Sequence, residues 1–93
     1  MSPLGETIRN LREKAGLTVR ALAAALEKSP GYISRVEGRG EIPSPELLCK
    51  IADQLGVSPE KLLELAKQIQ LERTAEDIEA KQRNALNLYR KGK

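Results

Sequence analysis

The sequence predicts an all-α fold assembled from short helices. Leu, Ala, Glu, Lys, Arg and Gln dominate its 93 residues. No segment alternates apolar and polar side chains with the period of two that a half-buried strand requires. The dipeptide Ser-Pro occurs four times, at Ser2, Ser29, Ser44 and Ser58, each time just ahead of a helical apolar pattern. Serine is a good helix N-cap, and proline suits the first turn, where a missing N–H costs nothing.

The elements follow in order. Ser2-Pro3 opens a first helix with Leu4, Ile8 and Leu11 on one face, and Gly16 ends it. Thr18 caps a second helix, which turns Leu22, Ala25 and Leu26 inward; Ala23 also reads as core. Ser29 caps a third, with Pro30 at its first position, Ile33 and Val36 as core, and Gly38-Arg39-Gly40 as its close. After the loop 41–43, Ser44-Pro45 starts a fourth helix carrying Leu48, Ile51, Ala52 and Leu55 as far as Gly56; Cys49 reads as core or near-core packing. Ser58-Pro59 opens a fifth, with Leu62, Leu63 and Ala66 buried. Thr74 with Asp77 three residues later resembles a capping box, so a separate last helix is expected from about Ala75 to Arg90. The basic end from Tyr89 to Lys93 reads as a frayed tail. The chain divides on this reading into a domain, 1–67, and a C-terminal helical extension, 68–93.

Composition excludes several functions. A single cysteine forbids an intrachain disulfide, and with no histidine a zinc site or a His-based catalytic base is nearly ruled out. No catalytic constellation and no phosphate-cradling glycine loop is present, so neither an enzyme nor a cofactor is expected. Without Phe or Trp, and with two Tyr, a stacking platform for single-stranded nucleic acid is unsupported. No apolar run approaches the roughly 18–20 residues of a membrane helix, and the N-terminus lacks a signal-peptide pattern, so a soluble cytoplasmic protein is expected. Lys and Arg number 16 against 13 Asp and Glu, which permits an anionic partner without establishing one. Residues 1–67 carry 10 basic and 9 acidic side chains, so any basic face there must be gathered by folding.

The helices 18–26 and 30–37, joined by a tight turn, have the dimensions of a helix-turn-helix. The stretch LGETIRNLREKAGLTVRALAAAL, followed by SPGYISRVEGRGEIPSPELLCKIADQLGVSPEKLLEL, resembles the lambda-repressor-like (Cro/repressor, XRE-type) helix-turn-helix family of DNA-binding proteins. The likeness runs from Leu4 to Leu65 through IRxLRxxxGL, the alanine of the second helix, ISRVE, the Pro-Ser before the fourth helix and IAxxLGVS. One such fragment is weak; all of them in order are specific.

The resemblance implies a five-helix fold whose third helix enters the major groove of duplex DNA with its N-terminal residues near base edges. It places Pro30, Gly31, Ser34 and Arg35 on the groove side and Tyr32 near backbone or bases. Thr18 and Arg20 open the second helix, whose N-terminus rests on a phosphate; Lys28, Ser29, Arg39 and Ser44 are further expected contacts. Pro30 and Gly31 offer little side chain, so base reading falls chiefly to Arg35. Arg12 and Glu37 are implied to form a buried salt bridge. Two residues depart from the family pattern. Val19 stands where the second helix often begins with Gln, leaving that contact to Arg20 or Thr18. Glu27 stands where the turn usually has Gly, so a wider turn is expected.

The expected function is a prokaryotic, sequence-specific DNA-binding transcriptional regulator, a homodimeric repressor on an inverted-repeat operator. The alternative is an antitoxin or switch protein whose C-terminal segment binds, or is cleaved by, a regulatory protein partner. The extension itself has three readings: dimerisation through Ile78, Ala85, Leu86 and Tyr89, partner binding, or packing on its own domain.

Overall fold

The structure, a computed structural model, describes residues 2–91, with the side chains of the last helix as far as Tyr89. The described residues form five helices and no strand: α1 (Pro3–Lys14), α2 (Val19–Ala25), α3 (Pro30–Gly38), α4 (Pro45–Leu55) and α5 (Glu60–Lys91).

Local chemistry accounts for the boundaries. Proline begins α1, α3 and α4, and the serine before each accepts a backbone N–H with its hydroxyl: Ser2 from Gly5 at 3.0 Å, Ser29 from Tyr32 at 3.1 Å and Ser44 from Leu47 at 3.2 Å. Thr18 does the same for α2, accepting from Ala21 at 3.0 Å. At α5 the Pro59 carbonyl already accepts from Leu63 at 3.0 Å.

Three helices end alike, on a left-handed residue whose neighbours' N–H groups reach back to the last carbonyls. Gly16 (φ 72°) and Gly56 (φ 70°) hold this place after α1 and α4, and Glu27 (φ 57°) holds it after α2. Lys28 N–H donates to Ala23 O at 2.9 Å and Glu27 N–H to Ala24 O at 3.1 Å. The turn is therefore not widened by the missing glycine. Closing two backbone hydrogen bonds there outweighs a left-handed penalty on the order of 1 kcal/mol.

The core lies between the helices, with Leu4, Ile8, Leu22, Ile33, Leu48, Ile51 and Leu62 fully buried. α1 crosses α3 closely, because Gly5 has no side chain to hold them apart. A Cβ there would stand 2.6 Å from the Glu37 carbonyl oxygen and 2.7 Å from that of Val36. Two expectations of burial fail, and a third, Leu63, is met only in part, as it is half-buried against the core. Ala25 is exposed and Ala23 is buried: they flank the Leu22–Leu26 line on opposite sides, and α2 packs on the side of Ala23. Cys49 is exposed, one step off the inner line of Leu48, Ile51, Ala52 and Leu55.

The largest difference from the sequence reading is at the C-terminus. No separate helix starts at Thr74. The run from Gln68 to Arg73 contains neither Gly nor Pro, and α5 passes through it unbroken to Lys91. Instead of capping, the Thr74 hydroxyl donates to the Gln70 carbonyl at 2.8 Å, a bond made within a continuing helix. The tail expected to fray from Tyr89 is helical as far as Lys91, while Gly92 and Lys93 lie outside the described residues. Burial continues past Lys67 to Ile69, which is 8% exposed. From Gln70 to Tyr89 every residue but Ala80 is exposed, and this projecting helix draws the molecule out to 61 × 25 × 19 Å.

Candidate nucleic-acid interface

The buried salt bridge sets the pose of α3. Arg12 Nε donates to Glu37 Oε2 at 2.7 Å and its Nη2 to Glu37 Oε1 at 3.0 Å. Its Nη1 donates to the Leu17 carbonyl at 2.8 Å. One guanidinium thus joins α1, the turn before α2, and α3, and the hydrogen bond to Glu37 raises the Arg12 pKa above its ordinary value. Among the described residues no buried side-chain nitrogen or oxygen lacks a partner.

With Ile33, Val36 and Glu37 turned inward, α3 presents Pro30, Gly31, Ser34 and Arg35 to solvent. Gly31 is not required by the chain's own packing. Its φ is not positive, and an added Cβ would meet nothing nearer than Arg35 Nη1 and the Ser29 hydroxyl, both at 3.8 Å. Glycine inside a helix costs roughly 0.5–1 kcal/mol relative to Ala, and no packing contact at Gly31 offsets that cost.

Three of the expected contact residues form one cluster. Lys28 Nζ lies 5.5 Å and Arg35 Cζ 5.7 Å from the centre of the half-buried Tyr32 ring. Burial, and then the charge of Glu41, push the Tyr32 phenol above its usual pKa, with Arg35 opposing. The phenol therefore stays neutral at physiological pH and keeps its O–H as a donor. Lys28 and Ser44 line one shallow depression with Glu27, Leu47 and Lys50, at the mouth of the turn. Ser29, Ser44 and Thr18 each use an oxygen lone pair to cap a helix, which leaves each hydroxyl hydrogen free to donate outward. Arg20 and Arg39 are exposed, at the start of α2 and the end of α3, while Val19 is half-buried against the core.

Two polar residues at this face were not singled out by the sequence. Glu41 Oε2 accepts from Arg35 Nε at 3.3 Å, and Arg73 Nη2 of α5 donates to the Gly40 carbonyl at 2.9 Å. No sequence pattern links either pair. The second joins residues 33 positions apart and exists only because α5 does not break at Thr74.

Along α5, Ile78, Ala85, Leu86 and Tyr89 are all exposed, together with Leu71 and Leu88. The extension meets its own domain at Ile69, which is core, and at Arg73, which bonds the Gly40 carbonyl. Among the described residues no helix is long and apolar enough to cross a membrane.

Comparison with known proteins agrees with this fold. A family model described as a helix-turn-helix domain matches residues 3–65. Two Bacillus subtilis (strain 168) proteins are each 39% identical to the chain. The HTH-type transcriptional regulator RghRB matches over 71 residues, 75% of this chain and 51% of its own. The HTH-type transcriptional repressor RghR matches over 64 residues, 68% of this chain and 47% of its own. The chain thus spans about half the length of these curated relatives. Among solved structures, the clp gene regulator ClgR of Corynebacterium glutamicum aligns with a TM-score of 0.61 at 35% identity, over 84% of this chain and 83% of that one. The biofilm master regulator SinR, solved in complex with DNA, aligns with a TM-score of 0.59 at 30% identity, over 64% of this chain and 97% of that one. The chain belongs to the lambda-repressor-like, XRE-type helix-turn-helix family.

Proposed function

We propose that the protein is a sequence-specific, duplex-DNA-binding transcriptional repressor that works as a homodimer in the prokaryotic cytoplasm. The observation that carries the DNA reading is the first turn of α3. It is capped by Ser29, stripped of bulk by Pro30 and Gly31, and flanked by Lys28, Arg35 and Arg39. Backbone can approach a groove there, the helix N-terminus favours phosphate, and Arg35 is the side chain able to make a bidentate contact with guanine. Thr18, Arg20 and Ser44 supply donors to the flanking phosphates.

The dimer rests on α5. Leu71, Ile78 and Ala85 are spaced by seven, and Ala75, Gln82 and Tyr89 follow each by four, which makes a two-stranded coiled-coil seam. Lys67 and Glu72 flank that seam, where parallel pairing sets the lysine of one copy opposite the glutamate of the other. Leu86 and Leu88 widen it at the far end. Two recognition helices about 34 Å apart would then read an inverted repeat with half-sites one helical turn apart.

Selection from random duplexes, followed by binding titrations over a salt series, tests the reading. A palindromic motif and a steep loss of affinity with salt are expected. Recovery of no motif would overturn it.

A further inference from the structure

We propose that Glu41 is a specificity-determining residue that positions Arg35 for base reading. The inference rests on the reading of α3 as the groove helix. Glu41 is tied to Arg35 twice. Its carboxylate accepts from Arg35 Nε at 3.3 Å, and its backbone N–H donates to the Arg35 carbonyl at 3.2 Å. The Tyr32 ring lies beside the same guanidinium, 5.7 Å from Cζ to ring centre. The Nη1 atom reaches back over the first turn of α3, to 3.8 Å from the place a Cβ on Gly31 would occupy.

This arrangement engages Nε and leaves the terminal Nη pair as the fork that matches O6 and N7 of guanine. An arginine without such a partner, half-exposed and rich in rotamers, turns to whichever phosphate is nearest, and that contact carries no sequence information. The acid also stands on a face that meets phosphates, so it opposes binding to duplex of any sequence. Its loop is held in place from α5, where Arg73 donates to the Gly40 carbonyl at 2.9 Å. Glu41 therefore exchanges general affinity for discrimination.

The test uses the full chain as wild type, R35A, E41A, E41Q and R35A/E41A. The duplex selected by wild type, its single-base variants and an unrelated duplex are titrated by fluorescence anisotropy at one salt concentration. E41A should lose about tenfold of the discrimination at the guanine that R35A also ceases to read. E41A should also bind unrelated duplex several-fold more tightly. E41Q, which keeps an acceptor for Nε without the charge, should restore part of the discrimination. Adding E41A to R35A should change base preference no further. Discrimination unchanged in E41A overturns the proposal, and so does an additional preference change in the double variant, which would make Glu41 a direct base contact. If wild-type protein selects no motif, the reading of α3 itself fails, an outcome distinct from either.

Discussion

Arg35 and Arg39 lie four residues apart at the end of one short helix, yet their surroundings differ. Arg35 is held between Tyr32 and Glu41, whereas Arg39 is the exposed C-cap of α3. Arg35→Ala should therefore remove about 1–3 kcal/mol of preference at one base pair. Arg39→Ala should weaken selected and unrelated duplexes alike and flatten the salt slope by about one. Titrations at several salt concentrations separate the two, and equal uniform losses would reverse the assignment. Gly5 acts through packing alone. Gly5→Ala places a methyl group against two backbone carbonyls of α3 and should destabilise the fold by about 1–3 kcal/mol, read by urea denaturation. Nothing in the sequence marks Gly5, since a glycine in the first turn of a helix looks like a poor helix former until its neighbour is known. The Arg12–Glu37 pair, expected from the resemblance, is in the structure with three hydrogen bonds on the guanidinium. Glu41 and Arg73 were invisible because their partners are chosen by tertiary approach rather than by spacing.

At the scale of the element, the starts of α1 to α4 were legible because a cap is local chemistry. A serine or threonine and the N–H three residues on are enough to recognise it. The same local logic misled at Thr74, where an acidic residue three positions later imitates a capping box inside an uninterrupted helix. What decides there is the absence of any helix breaker upstream. Thr74→Ala should accordingly raise thermal stability or helicity slightly, by up to about 0.7 kcal/mol; a loss near 1 kcal/mol in denaturation would mean that the threonine caps after all. The turn between α2 and α3 offers the converse case. Glu27 keeps the left-handed geometry that Gly16 and Gly56 adopt freely. Because Glu27 is exposed, Glu27→Gly should stabilise the protein by up to about 1 kcal/mol in the same measurement, and a loss would show that the side chain carries a stabilising role.

For the whole molecule, the expected boundary at Lys67 coincides with no break in the backbone, and Ile69 beyond it is still core. The proposed dimer is thus better probed by substitution than by cutting there. Ile78→Glu, on a fully projecting stretch of α5, should leave the monomer's fold intact by circular dichroism and shift light scattering from dimer to monomer. A wild-type monomer at micromolar concentration would instead make the stripe a docking surface for another protein. The unbroken α5 has a further consequence. It is a shaft, so the angle between the helix-turn-helix head and the exposed apolar stripe is set by counting residues. One alanine inserted after Glu76 would rotate everything beyond it by about 100° and advance it by about 1.5 Å. Seven inserted residues would nearly restore the phase while moving the heads about 10 Å along the axis. Under parallel pairing both heads would shift together, so the spacing of the operator's two halves should stay as it was, and only the one-residue insertion, which puts the stripe out of phase, should disturb it.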